Sequence, residues 1–318
     1  MRRLAIFLVT VLVMVMSTGL AYSETVLKVT LPKSYEAVFT ELAQNFLKDE
    51  GIKIRMTSTC SGKAAKEVKD YGMYIDLVIS ADYTIIDEEL IGNKFADWNM
   101  LFAKNEMVLG YTNKSKHGKS ITASNWAKTV SKKGVKFALS AAGDEPCGYR
   151  AMLVLQLAEK YYNMPGFAKG IVDKALYEKK SDIDVVKDLT SNKVDYIVTY
   201  KSYAIEHGLK YLELPKEINL FSARYADIRK DVAVDFKMKG MDKAKFDASC
   251  IYYSMTIPST VQHRPEAVKL VKYLKSDAAA KVMEKHGFFI ICSPMVTGSV
   301  DKLDKPLRAG TVHATRLN

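Results

Sequence analysis

Hydrophobic and polar positions alternate along the chain in blocks that predict strands and helices in turn. Residues 25–31 alternate apolar and polar side chains, which predicts a strand. The next segment carries Val38, Leu42 and Phe46 at helical spacing before Gly51, which predicts a helix ending there. Further strands are predicted at 52–56, 75–80, 105–111, 135–140, 194–200 and 251–257, and further helices at 63–71, 152–162, 185–189, 265–274 and 278–285. Such alternation is typical of α/β folds, in which helices cover both faces of a sheet.

The chain is long enough for two hydrophobic cores, since it has 318 residues and shows no internal repeat or long flexible linker. We expect two α/β lobes joined by two crossing strands near Met107 and Tyr253. The first lobe is predicted to be discontinuous, from 24–107 and 254–318, and the second to span 108–253.

The N-terminus has the pattern of a secretory signal peptide. Arg2 and Arg3 precede an almost wholly apolar run at 4–15, and the small residues Ala21 and Ser23 flank a tyrosine before Glu24. A membrane anchor is the weaker alternative, because the apolar run is shorter than the ~20 residues that span a bilayer. We therefore predict cleavage after residue 23 and export to the periplasm. No lipid anchor is expected, since no cysteine lies near that point.

Net charge and composition limit the classes of molecule that the protein is expected to bind. The formal net charge is +11, and +9 once the two arginines of the predicted signal peptide are removed, so the surface favours anionic partners. The lysines are scattered without a basic block, which argues against nucleic acid. The four cysteines permit one or two disulfides in an exported protein, but their spacing suits no zinc site: Cys60, Cys147, Cys250 and Cys292.

Three serines fall where predicted strands end. Ser34, Ser61 and Ser80 all lie at such carboxyl ends, and α/β sheets bind ligands at this edge. Ser34 and Ser61 also stand where helices begin, so simple helix capping is the alternative to a ligand role.

The most informative stretch is the loop after the predicted strand 135–140. It reads Asp-Glu-Pro-Cys-Gly-Tyr-Arg over residues 144–150 and leads into an apolar helical run. A helix N-terminus offers free backbone N–H groups to an anion. Asp144 and Glu145 place two carboxylates beside that cradle, which is an unusual combination.

Two tyrosines and an arginine near the carboxyl ends of the predicted strands can each be interpreted in two ways. Tyr149 and Tyr200 could donate hydroxyls to an anion or pack with their tips in water. Arg150 could pair with an anionic ligand or with a neighbouring carboxylate.

Enzymatic motifs are missing from the sequence, which has no GxSxG, no Walker loop and no GxGxxG. Glu145 and Glu217 could form a glycosidase-like acid/base pair across a cleft. Only two tryptophans are present to stack on a sugar, so a secreted hydrolase remains a distant alternative.

Several runs resemble a known family. Ser-Ala-Asp-Tyr, Asn-Glu-Met-Val, Pro-Cys-Gly-Tyr-Arg and Leu-Pro-x-Glu-Ile-Asn-Leu occur at 80–83, 105–108, 146–150 and 214–220. Together with the closing segment 276–288, they resemble the extracellular tungstate/molybdate-binding proteins of ABC transporters, over nearly the whole mature chain. The resemblance implies a bilobal type II periplasmic-binding-protein fold with two mixed-sheet α/β lobes. It also implies a monomer without enzymatic activity or cofactor that delivers one oxyanion to a permease and its ATPase.

The resemblance also implies a ligand set. Glu145 and Glu217 correspond to carboxylates that coordinate the tungsten or molybdenum centre, and oxygen ligands suit such a hard centre. Ser34 and Ser61 are expected to donate hydrogen bonds to the oxo groups, with Tyr200 beside them.

One position departs from the family pattern. The family has Asp directly before Pro-Cys-Gly-Tyr-Arg, whereas this chain has Glu145 preceded by Asp144. The loop adjusts, or Asp144 takes the role, or six-coordination is lost. Binding of another oxyanion such as sulfate, with purely structural acids, is the nearest alternative function.

Overall fold

The computed structural model describes residues 25–142, 146–176, 181–235, 245–314 and 317. The predicted signal peptide and the acidic pair Asp144 and Glu145 lie outside these ranges. Among the described residues, no helix has the length and apolar character needed to cross a membrane.

The described part of the chain forms strands of two to ten residues, and several of them pair with strands that are distant in sequence. They are β1 (Val26–Pro32), β2 (Lys53–Thr59), β3 (Leu77–Ser80), β4 (Trp98–Lys104), β5 (Met107–Tyr111), β6 (Phe137–Ala138), β7 (Tyr196–Tyr200), β8 (Lys210–Glu213), β9 (Ala233–Asp235), β10 (Lys245–Asp247), β11 (Tyr252–Thr256), β12 (Phe289–Gly298) and β13 (Val312–His313).

The helices follow the strands in an α/β order. They are α1 (Glu36–Glu50), α2 (Ser61–Lys69), α3 (Tyr83–Ile85, continuing as a π-helical turn over Ile86–Ile91), α4 (Trp126–Ser131), α5 (Pro146–Tyr161), α6 (Phe167–Lys174), α7 (Asp182–Thr190), α8 (Lys201–Glu206), α9 (Ala226–Arg229), α10 (Arg264–Leu274) and α11 (Asp277–Lys285). Short 3₁₀ turns occupy Lys33–Tyr35, Ala223–Tyr225, Val300–Lys302 and Lys305–Leu307.

Two sheets form the cores of the two lobes. The first lobe contains a seven-stranded sheet in the order β13-β12-β4-β11-β3-β1-β2, and the second a four-stranded sheet in the order β6-β7-β5-β8. A separate pair joins β9 to β10. Both large sheets are mixed. In the first, β1 runs parallel to β2 and β3, whereas β11 is antiparallel to β3. In the second, β6 runs parallel to β7, whereas β5 is antiparallel to β7. The predicted α/β class with two mixed-sheet lobes is therefore confirmed.

Two chain segments pass side by side between the sheets. β4 leads through Asn105 into β5, and the peptide N–H of Asn105 donates to the carbonyl of Ile251 just before β11, at 3.3 Å. The N–H of Met107 donates to the carbonyl of Asn219 at 2.9 Å. These crossings lie where the sequence predicted them, near Met107 and Tyr253, and the exact lobe boundaries stay a prediction.

The elements lie where the sequence pattern predicts them, but several boundaries differ; β2, for example, extends to Thr59 rather than 56, and α7 begins at Asp182 rather than 185. The strand predicted at 135–140 is reduced to Phe137–Ala138, and α2 begins at Ser61 rather than 63. Helix α5 begins at Pro146, six residues before the apolar run that predicted it, because proline is well accommodated in a first helical turn. No disulfide joins the four cysteines, all of which lie in the described part of the chain.

Candidate functional site

Residues at the end of β3 and the start of α2 hold each other in place. The hydroxyl of Ser80 donates to the carbonyl of Asp82 at 2.6 Å, which fixes the turn after the strand. The N–H of Ala81 in this turn donates to Ser61 Oγ at 3.2 Å. Ser61 is therefore hydrogen-bonded to the turn that the Ser80 hydroxyl stabilises.

Helix capping does not explain either candidate serine. Cys60, not Ser61, is the N-cap of α2, where its Sγ accepts from the Lys63 N–H at 3.4 Å. Ser34 lies in the 3₁₀ turn before α1, and its Oγ is 2.6 Å from the hydroxyl of Tyr253. Because the Ser61 hydroxyl accepts from Ala81, its own hydrogen can be donated to a ligand.

The N-terminus of α5 lies against the end of β6. Gly148 is required there, because a Cβ at this position would lie 2.7 Å from the carbonyl oxygen of Ala141 and 2.8 Å from that of Ser140. Real Cβ atoms do not approach backbone so closely. The close approach brings Tyr149 and Arg150, both buried, to the first lobe.

Arg150 joins the two lobes through a buried network. Its Nη1 donates to the carbonyl of Ala81 at 2.7 Å and to the hydroxyl of Tyr200 at 2.6 Å. Its Nη2 lies 3.6 Å from Asp82 Oδ2, and the hydroxyl of Tyr149 donates to the same carboxylate oxygen. Arg150 thus pairs with a carboxylate, which settles one of the two interpretations of this residue.

The charges of this network suit a permanently cationic arginine. Burial alone lowers the pKa of Arg150, but Tyr149, Tyr200 and Asp82 raise it above its ordinary value. Burial raises the pKa of Tyr200 and of Tyr149, so both phenols stay protonated. A neutral phenol at Tyr200 accepts from Arg150 and keeps its hydrogen for another acceptor.

Tyr253 links the remaining serine to this network and was not predicted as a site residue. It lies on β11 at the second crossing, with its ring centroid 6.3 Å from that of Tyr200 and its hydroxyl on Ser34. The sequence placed Tyr253 only as a crossing point. Ser34, Ser61 and Tyr200 are therefore connected through Tyr253, Ala81 and Arg150, at strand ends of both lobes.

A second buried carboxylate lies beneath the α5 N-terminus. Asp182 is the first residue of α7 and is only 5% exposed, and burial raises its pKa to about 6 against the opposing effects of Ser140, Cys147 and Lys33. Within the described chain, its Oδ1 has no hydrogen-bond partner. Sequence reasoning missed Asp182, although the capping box formed by Ser181 with Asp184 is a recognisable helix start.

The structure does not join Glu217 to the serine and tyrosine network. Glu217 is half-buried in a turn after Pro215, and in the described part of the chain it makes no hydrogen bond or ion pair. Its charge adds to burial in raising the pKa of Tyr162 to about 12. Glu145 and its substitute Asp144 lie outside the described residues. Carboxylate coordination therefore stays a prediction.

A family model described as bacterial extracellular solute-binding protein matches residues 27–289. The chain belongs to this family. The molybdate/tungstate-binding protein WtpA of Pyrococcus abyssi is 30% identical to this solute-binding protein over 303 residues, which is 87% of each chain. The resemblance found in the sequence is confirmed.

Solved structures show the same fold. The periplasmic molybdate-binding protein of Azotobacter vinelandii is 16% identical and covers 83% of this solute-binding protein and 99% of its own chain, with a TM-score of 0.60. The sulfate-binding protein SubI of Mycobacterium tuberculosis is 14% identical, with coverage of 84% and 88% and a TM-score of 0.61. The predicted type II periplasmic-binding-protein fold is confirmed, and at these identities the likeness concerns the fold alone.

Proposed function

We propose that this solute-binding protein captures tungstate or molybdate between its lobes and delivers the oxyanion to the permease and ATPase of an ABC importer. The proposal rests on the hydroxyl groups of Ser34, Ser61 and Tyr200, which lie at strand ends of both lobes. Hydrogen bonds and ring contacts connect them by way of Tyr253, Ala81 and Arg150. No chemical step is required of the protein.

The hydroxyl groups supply donors of the kind an oxyanion needs. Ser34, Ser61 and Tyr200 are neutral donors, and each is buried, so a hydrogen bond to an oxo group is formed away from water. Lys33 adds positive charge from the first lobe. Hydrogen bonds to Ser181 are the main cause of the lowered pKa of Asp184 on α7, and the charge of Lys33 contributes to it. A tetrahedral oxyanion between these groups would contact both lobes and favour their closure.

The carboxylates would distinguish tungstate and molybdate from other oxyanions. Glu217 and Glu145, or Asp144 in its place, would coordinate a centre that can expand beyond four ligands. A centre that cannot expand, such as the sulfur of sulfate, would meet only repulsion from these acids. The half-buried carboxylate of Glu217, without a hydrogen bond or ion pair in the described chain, is available for such a role.

Sulfate or another oxyanion is the alternative ligand. The hydroxyl network by itself suits any tetrahedral oxyanion, and the alternative assigns Glu217 a structural role. Membership of a family of solute-binding proteins argues against the hydrolase alternative.

Titration calorimetry with tungstate, molybdate, sulfate and phosphate separates these possibilities. We expect one-to-one binding of the first two anions and no heat from the others. The Glu217→Gln variant should bind tungstate at least roughly tenfold more weakly, whereas Glu213→Gln, an exposed acid on the preceding strand, should bind like the wild type. Equal affinity for sulfate, or unchanged tungstate affinity in Glu217→Gln, would contradict carboxylate coordination.

A further inference from the structure

A second cluster of positive charge lies behind the interlobe crossing. Arg229, at the end of α9, is only 2% exposed, and within the described chain no acid forms an ion pair with it. Its Nε donates to the carbonyl of Tyr225 at 3.2 Å, and its Nη2 contacts the carbonyl of Ser222 and Cys250 Sγ. Its Nη1 has no hydrogen-bond partner in the described part of the chain. A buried guanidinium with one unsatisfied nitrogen is expensive unless an anion accompanies it.

A neighbouring cation adds to the positive charge. Lys104 holds its ammonium group 4.0 Å from the ring centroid of Phe221 and 5.3 Å from that of Tyr252. Burial and the charge of Arg229 lower the pKa of Lys104, while Cys250 opposes them. No ion pair to Lys104 occurs among the described residues. Arg229 and Lys104 therefore lie close enough for their charges to interact, and neither is ion-paired with an acid among the described residues.

Arg229 lines a cavity of about 270 Å³. This volume is just below the range of roughly 300–1,000 Å³ that is usual for ligand pockets, so the occupant must be small. Ser249 and Cys250 are polar parts of the wall, and Ala226 and Ala248 are apolar parts. A ligand with one anionic end and a short apolar remainder would match both kinds of wall.

Two acids limit the charge of that ligand. Asp227 and Asp247 also line the cavity and offset the positive charges of Arg229 and Lys230, which line it too. Because the lining then carries no net positive charge, it disfavours a dianion such as tungstate or sulfate. A monocarboxylate can still accept hydrogen bonds from Nη1, the one guanidinium nitrogen of Arg229 that has no partner among the described residues.

We propose that the Arg229 cavity is a binding site for a small aliphatic monocarboxylate, separate from the oxyanion site between the lobes. The cavity adjoins the second crossing, since Cys250 directly precedes Ile251, which is hydrogen-bonded to Leu220 and Asn105. A carboxylate bound there holds α9 against the crossing segment. The proposal does not depend on which oxyanion the cleft binds.

The test uses butyrate as the probe and the mature protein saturated with tungstate, so that the cleft is occupied. Saturation-transfer NMR and a butyrate-dependent rise in melting temperature are measured at constant ionic strength with sodium chloride as reference. We expect saturable butyrate binding by the wild type and a loss of roughly tenfold or more in affinity for Arg229→Met. Arg224→Met, an exposed arginine in the turn just before α9, is the matched control and should bind butyrate like the wild type.

A second variant tests the proposal independently, in case Arg229→Met does not fold. Ala226→Leu keeps the guanidinium and fills the cavity, so it should lose butyrate binding while tungstate affinity stays unchanged. No saturable binding by the wild type would overturn the proposal, as would full binding by Ala226→Leu and Arg229→Met. If the wild type does not bind tungstate, the proposed oxyanion function is contradicted instead. Butyrate binding is then measured on the ligand-free protein.

Discussion

Arg150 and Asp82 form a buried ion pair between the lobes, with Nη2 and Oδ2 3.6 Å apart and exposed fractions of 2% and 3%. Arg150 belongs to α5 of the second lobe, and Asp82 to the turn after β3 of the first. The pair therefore fixes the relative position of the two strand-end edges that carry the candidate ligand groups.

Replacing Arg150 by methionine should destabilise the protein by about 3–5 kcal/mol, because Asp82 would be left as a buried charge without its cation. The free energy of unfolding is measured by urea titration with Arg224→Met as an exposed control. A change below about 1 kcal/mol would show that the pair does not hold the lobes together.

Tyr200 and Tyr196 offer a matched pair on one strand. Both carry a buried hydroxyl with a hydrogen bond, but Tyr200 faces Arg150 at the ligand edge, whereas Tyr196 donates to the carbonyl of Lys116 at the opposite end of β7. Tyr200→Phe should weaken oxyanion binding by about tenfold, which is the effect of one buried donor. Tyr196→Phe should leave the affinity unchanged in the same calorimetric titration. Equal effects of the two substitutions would remove Tyr200 from the ligand site.

Gly148 and Gly170 both lie in helices, but only Gly148 is packed too closely to accommodate a Cβ atom. Alanine at 148 would place its Cβ 2.7 Å from a backbone oxygen, so α5 must move and we expect a loss of about 1–3 kcal/mol together with weaker oxyanion binding. Alanine at 170, in α6, meets nothing within 4 Å and should stabilise the protein by about 0.5–1 kcal/mol. Thermal and urea unfolding measure both changes. Neutral behaviour of Gly148→Ala would contradict the close packing of α5 on the end of β6.

Asp182 should make stability depend on pH. Its pKa in the folded protein is about 6, above its value in the unfolded chain, because burial disfavours the charged form. The contribution is fully present below about pH 4 and is lost as pH rises through about 6. Asp182→Asn should reduce this slope, measured as the free energy of unfolding between pH 4 and pH 8. The slope that remains has the same sign, because burial also raises the pKa of Glu206, to about 7.

Asp184 predicts the opposite slope only below about pH 4, so Asp184→Asn is the control and should leave the slope between pH 4 and pH 8 unchanged. Its hydrogen bonds to Ser181 lower its pKa, so its contribution is present above the unfolded pKa and is lost as pH falls through the folded value. If Asp182→Asn leaves the slope between pH 4 and pH 8 unchanged, Asp182 is not the buried acid responsible.

The sequence predicted most of the fold because its elements follow simple periodicities. The helix with Val38, Leu42 and Phe46 is α1, and these side chains are buried while Gly51 ends the helix at φ 67°. The start of α5 was harder to predict, because its first turn, with Pro146 and a glycine, lacks an apolar helical repeat. Tight packing on β6, not periodicity, determines that start.

The candidate site was predicted only in part. Ser34, Ser61 and Tyr200 could be chosen because strand ends are visible in the sequence. The partners of these residues could not, since Tyr253 lies 219 positions from Ser34 and Asp82 lies far from Arg150. Such contacts depend on how the two lobes pack, and local sequence patterns carry no information about that packing.

Tungstate binding between the lobes is tested most directly by a crystal structure of the mature protein with tungstate, in which anomalous scattering locates the tungsten. We expect one tungsten site between the lobes, with oxo groups roughly 3 Å from the hydroxyls of Ser34 and Ser61 and a carboxylate oxygen of Glu217 on the metal. A tungsten site elsewhere, or one whose only contacts are hydroxyl groups with Glu217 turned away, would contradict this expectation.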